Sequence, residues 1–189
     1  MFKYAFLSTL FLILIYGDAK AQQPQPPLQP PKLVAKEKYE ETLKSYTSWH
    51  KNLSTPDFYQ KFTWKTKEGD KKFSDLTEAE KDQFYLVQGF QLTKELHGLS
   101  LAWKNELVWI ESGRITTLPE DAATAEEITA FQVQLLALRK TTAVDFEKLI
   151  DNVFEKHKDK ISKKERDYVK KQIVNFHDKN ELIERKDDS

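Results

Sequence analysis

The sequence predicts a mainly all-α protein. It reads as a compact bundle of five or six amphipathic helices, with room for one small β-hairpin, following a proline-rich N-terminal segment. Three observations lead there. Apolar residues recur at spacings of three and four along residues 33–178, the spacing that gathers side chains on one helix face. Helix-start signatures, Ser or Thr followed three residues later by Glu, stand at Thr77, Thr124 and Ser162, where side chain and backbone donors satisfy each other. The chain also has only five glycines in 189 residues and no repeat of twenty to fifty residues. That argues against a large catalytic fold with glycine-rich ligand loops and against a solenoid.

The elements follow in order. Residues 1–21 open with Lys3 and continue through twelve uncharged residues, 5–16, to Ala19-Lys20-Ala21. A charged start, an apolar stretch and small residues before a cut form the pattern of a secretory signal peptide. Twelve helical residues cover about 18 Å, well short of a hydrocarbon core near 30 Å. Export with cleavage after Ala21 is therefore expected, leaving a secreted or periplasmic chain with no transmembrane span. Residues 22–32, QQPQPPLQPPK, hold five of the seven prolines. They read as an extended polyproline linker, with docking to an aromatic-groove module as the sharper alternative.

From residue 33 the helical pattern begins. Tyr39, Leu43, Tyr46, Trp49 or His50, and Leu53 form the first stripe. Ser54-Thr55-Pro56 offers a start with proline in the first turn. Residues 62–73 fit either a short helix or a hairpin turning at Glu68-Gly69-Asp70. Thr77 opens a helix through Phe84, Val87, Leu92 and Leu96, with Gly98 predicted as its left-handed stop. Ser100 is predicted to start the next, through Trp103, Leu107 and Ile110 to Gly113; residues 107–118 also fit a hairpin. Thr124 starts a stripe of Ile128, Phe131, Leu135 and Leu138. Val144 or Asp145 is predicted to begin a separate helix with Phe146, Leu149, Ile150, Val153 and Phe154. Ser162 starts the last, with Val169, Ile173 and Phe176, and residues 179–189 read as a charged disordered tail.

Composition narrows the chemistry. Thirty basic residues balance thirty acidic ones, so charge gives no reason to expect a nucleic-acid partner. The absence of Cys removes disulfides, thiolate metal sites and Cys nucleophiles. No cofactor and no metal are expected. His50, His97, His157 and His177 form no i, i+4 pair. In residues 154–165 a calcium loop would place Phe154, Lys156 and Lys158 where carboxylates belong, leaving Glu165 as the one strong ligand. Gly98-Leu99-Ser100-Leu101-Ala102 imitates a nucleophile elbow, but that chemistry needs a strand before the serine. Asn52-Leu53-Ser54 is a glycosylation sequon in a eukaryotic host.

Two constellations remain as candidate binding sites. Phe58, Tyr59, Phe62, Trp64, Trp103 and Trp109 offer an aromatic platform for a sugar or peptide; in a small domain such rings also fill the core. Lys156, Lys158, Lys160, Lys163, Lys164, Lys170 and Lys171 form a basic patch suited to an anionic surface, with a solvated helix face as the plainer reading. No catalytic set stands out. The functional expectation is thus a secreted or periplasmic, non-enzymatic helical protein that binds another protein or an envelope component. The alternatives are a small carboxylate hydrolase of envelope polymer, using acids such as Glu106, Glu111 or Asp57, or an anionic-surface binder through residues 155–171.

Overall fold

The computed structural model describes residue 31 and residues 33–66, 69–159, 162–164, 166, 167 and 171. The signal-peptide reading, most of the proline-rich segment, the whole last predicted stripe of Val169, Ile173 and Phe176, and the charged tail lie outside the described residues. The chain divides into two compact units, one of residues 25–144 and one that includes residues 145–189.

The protein is mainly helical. Among the described residues there are three bounded α-helices, α1 (Lys36–Lys51), α2 (Glu78–Glu111) and α3 (Ala125–Lys156), and one hairpin of β1 (Thr63–Thr66) and β2 (Gly69–Lys72). Short 3-10 turns at Pro56–Tyr59 and Phe73–Asp75 flank the hairpin. Five or six helices were expected, and two of the expected breaks do not exist. Gly98 and Ser100 lie inside α2, and Val144 and Asp145 lie inside α3.

The reasons are energetic. A glycine stops a helix when it takes a positive φ, and among the described glycines only Gly69 and Gly113 do so. Gly98 stays helical and exposed, at a cost of about 1 kcal/mol. Burying Leu96 and Trp103 on either side outweighs that at about 2 kcal/mol or more each. Through residues 141–145 of α3 there is neither Gly nor Pro, and β-branched Thr and Val cost only tenths of a kcal/mol. Thr141 donates its hydroxyl to the Ala137 carbonyl at 3.0 Å without interrupting the ladder.

The local start signals otherwise act as expected. Thr77 Oγ1 accepts from the Glu80 N–H, and Glu80 accepts in turn from the Thr77 N–H at 2.8 Å. Thr124 and Glu127 make the same reciprocal pair. Pro56 sits in the first turn of its 3-10 helix. α2 ends at Glu111, and Gly113 at φ 70° turns the chain out. Residues 62–73 contain the hairpin, in antiparallel register Thr63↔Lys72 and Thr66↔Gly69, whereas residues 107–111 are helical.

In the unit spanning residues 25–144, α1, α2 and the first turns of α3 share one apolar core. Tyr39 and Leu43 of α1 meet Leu92, Leu96 and Trp103 of α2, and Ile128, Phe131 and Leu135 of α3. The chain entering α1 is tied down by an Ala35–Ala122 bridge and a Lys36 N–H to Asp121 carbonyl bond of 2.9 Å. Lys36 Nζ also lies 2.7 Å from Glu127. In the other unit, Phe146, Ile150, Val153 and Phe154 of α3 are buried. Residues 163, 164, 166, 167 and 171 are helical, as the Ser162 start predicts.

Candidate functional site: an aromatic-floored groove

A groove of about 720 Å³ opens between α1, the Pro56–Tyr59 turn and α2. Its α1 wall is Glu41, Lys44, Ser45, Ser48 and Trp49, its α2 wall is Gln88 and Gln91, and Phe58 and Phe62 close the third side. Helical spacing explains the walls. Residues 41, 44, 45 and 48 follow the i, i+3, i+4, i+7 rule and so line one face of α1, as Gln88 and Gln91 do on α2. That size falls within the usual range for ligand sites.

The floor is a set of interlocked rings. Tyr46 and Trp49 stack at 6.1 Å, and Phe58 and Phe62 at 6.4 Å. Tyr59 lies beneath, edge-on to Phe58 at 5.0 Å and to Phe62 at 5.5 Å. Phe62 remains 46% exposed at the rim, an apolar ring held in water by the rings behind it. Burial raises the Tyr59 phenol to about 12, and its hydroxyl donates to the Leu53 carbonyl at 3.2 Å. The Trp49 indole N–H comes close enough to offset part of that rise, but it is buried without a well-aligned acceptor.

Glu95 organises one edge. It accepts from the Tyr46 hydroxyl at 2.9 Å and from Gln91 Nε2 at 2.5 Å. Burial, helped by that carboxylate, raises the Tyr46 phenol to about 12. The Gln91 side chain is thereby held in place, with its amide oxygen and second N–H left for a ligand. On the far side Asn52 Nδ2, the sequon nitrogen, donates to the Ser48 carbonyl at 2.8 Å and closes α1.

The six predicted aromatic residues divide into four places. Phe58 and Phe62 line the groove, and Tyr59 lies fully buried against them. Trp64, half-buried, packs edge-on to Phe84 at 5.0 Å. Trp103 lies in the helical core, 4.8 Å from Tyr39. Trp109, half-buried, carries the Arg114 guanidinium 5.3 Å above its ring. In the basic stretch Lys156, Lys163, Lys164 and Lys171 are exposed, and Lys158 pairs with Glu155 at 2.7 Å. Lys160 and Lys170 lie outside the described residues. Asp167 lies 3.5 Å from Arg166.

The three candidate acids also separate. Asp57 accepts from Gln60 at 2.8 Å and is exposed, as is Glu111. Glu106 is 5% exposed. Burial raises its carboxyl above the usual range, while the Tyr39 hydroxyl and Val34 N–H nearby hold it partly down. The Tyr39 phenol is itself pushed far up, mainly by burial; its hydroxyl has no well-aligned partner. Ser100, the serine of the elbow-like motif, is 2% exposed in mid-helix. Its Oγ accepts from Gln132 and from Arg139, each at 3.2 Å, and Arg139 reaches on to His97 Nδ1 at 3.2 Å. This arrangement fastens α2 to α3 and leaves the hydroxyl no open approach. Among the described residues no group of three or more His, Asp or Glu side chains could hold a metal ion, and no helix is long and apolar enough to cross a membrane.

No protein-family model matches the chain, and no curated protein or solved structure matches it. Sequence reasoning named Phe58 and Phe62 but missed Ser45, Ser48, Gln88 and Gln91. Their i, i+3 spacing is visible in the sequence, but the pairing of α1 with α2 that brings them together is not.

Proposed function

We propose that this is an exported, non-enzymatic binding protein that grips an extended segment of another protein in the groove between α1 and α2. The observation that carries the reading is Phe62, an aromatic ring half in water at the mouth of an aromatic-floored groove. Exposed rings backed by packed rings are the usual anchors of protein contacts. The walls supply what an extended backbone needs. Gln88, Gln91, Ser45 and Ser48 offer both donors and acceptors, while Glu41 and Lys44 leave the groove near neutral. The export part of the proposal rests on residues 1–21.

The test is selection of extended peptides on the intact chain from a display library, followed by measurement on Phe62→Asp. Phe62 is on the rim, so the variant should fold, which circular dichroism checks. Loss of affinity of about tenfold or more is expected, the effect of removing one aromatic anchor. Equal binding by the folded variant overturns the groove as the binding site.

A further inference from the structure

Resting on that reading, we infer that the segment the groove takes is a polyproline II stretch, and that residues 27–32 of a second copy of this chain supply it. The first argument is chemical. A polyproline II helix has no internal hydrogen bonds, so its carbonyls look outward for donors, and its proline rings need flat apolar surface. Gln88, Gln91, Ser45 and Ser48 provide the donors; Trp49, Phe58 and Phe62 provide the surface.

The second argument is periodicity. Polyproline II repeats every three residues. Over residues 27–32 Pro27 and Pro30 form one ridge, Leu28 and Pro31 a second, and Gln29 and Lys32 a third; upstream, Gln25 falls on the second and Pro26 on the third, so the sidedness begins at Pro27. Two ridges are apolar and adjacent, and the third is polar. An isolated linker has no use for such sidedness, whereas a ligand lying in an aromatic trough does. Lengths agree as well. The α1 wall from Glu41 to Trp49 covers about 12 Å at 1.5 Å per residue, which is about four polyproline residues at 3.1 Å each.

The third argument selects a second copy over the same one. Ala35 and Lys36 are bound to Ala122 and Asp121, so the chain enters α1 in a fixed direction. The groove lies about 7 to 20 Å further along that helix. To fill its own groove the segment would have to double back through Leu33 and Val34, and Val34 packs against the helical core. Proline fixes φ and keeps the residue before it extended, so Pro30 and Pro31 add little freedom to that turn. A neighbouring copy meets no such constraint. The contact is heterologous, segment to groove, and builds rings or open chains.

Sedimentation velocity of the intact chain, as its host produces it, should show association rising with concentration. A synthetic peptide of residues 22–32 should compete with it and shift the Trp emission. Replacing Pro27, Pro30 and Pro31 by Ala, and separately Phe62→Asp, should each weaken association about tenfold. Mixing the two variants should give one-to-one pairs that grow no further, because only one groove and one segment remain intact. Association unchanged in both variants overturns the inference. So does a concentration-independent monomer, whether its groove ignores the peptide or opens to it only after the prolines are replaced. If the peptide fails to bind while selected peptides of other composition still depend on Phe62, the groove reading survives and this assignment alone falls.

Discussion

Two ring clusters hold the unit of residues 25–144, and they are built in opposite ways. Under the hairpin, Tyr59, Trp64, Phe73, Phe84 and Tyr85 contact one another at 4.9 to 6.2 Å. All of these rings come from residues 59–85. In the helical core, Tyr39, Trp103 and Phe131 meet at 4.8 to 6.4 Å, and each comes from a different helix. The first cluster is almost purely aromatic and local. The second joins distant parts of the chain and also encloses the Tyr39 hydroxyl and the Glu106 carboxyl, polar groups in an apolar setting. The comparison teaches that similar ring packing can serve as a local clasp in one place and as the joint of three helices in another.

The largest expected effect separates these roles. Phe84→Ala and Trp103→Ala each remove a nearly fully buried ring and should each cost about 3–5 kcal/mol. Hydrogen exchange should tell them apart. Phe84→Ala should release residues 56–76 while α1 and α3 stay protected; Trp103→Ala should lower protection in all three helices together. Identical exchange patterns in the two variants would show that the clusters act as one.

A smaller effect sharpens the contrast at Glu106. Its carboxyl is raised above 4.5 by burial, so the folded state holds the proton more tightly than the unfolded chain. Its contribution to stability is present below about pH 4.5 and is lost as pH rises through the raised value. Glu80, lowered by its capping bonds with Thr77 and by Lys71, works with the opposite sign: its contribution is present above 4.5 and fades as pH falls. Glu106→Gln should therefore stabilise the protein at neutral pH by on the order of 1 kcal/mol and flatten the fall in stability above pH 4.5. Chemical denaturation at several pH values checks this, and an unchanged slope would refute it.

The smallest expected effect is at Gly98. A Cβ there would meet nothing within 4 Å, and the residue is helical. Gly98→Ala should raise stability by about 0.5–1 kcal/mol, read as a higher denaturation midpoint. Destabilisation would restore the idea that the helix breaks there.

These cases show what was legible in the sequence. Capping boxes at Thr77 and Thr124 and the turn at Gly113 were readable because they are settled within a few residues. Gly98 was not, since whether a glycine ends a helix depends on what its neighbours bury. Ser100 and Glu106 did leave a trace. They interrupt the α2 stripe at positions where Leu92, Leu96 and Trp103 predict apolar side chains, the mark of a polar group destined for the interior. The groove left half a trace: its aromatic members stood out by residue type, but its Gln and Ser members resemble any solvated helix face until α1 is laid against α2.

α2 threads both clusters, with Phe84 and Tyr85 in one and Leu92, Leu96 and Trp103 in the other. Each added or deleted residue between them would turn the far half of the rod about 100° relative to the near half. Descendants of this gene can thus trade letters freely along the outer side of that stretch, but its length is locked, and any drift in length has to accumulate in the connections beyond Glu111.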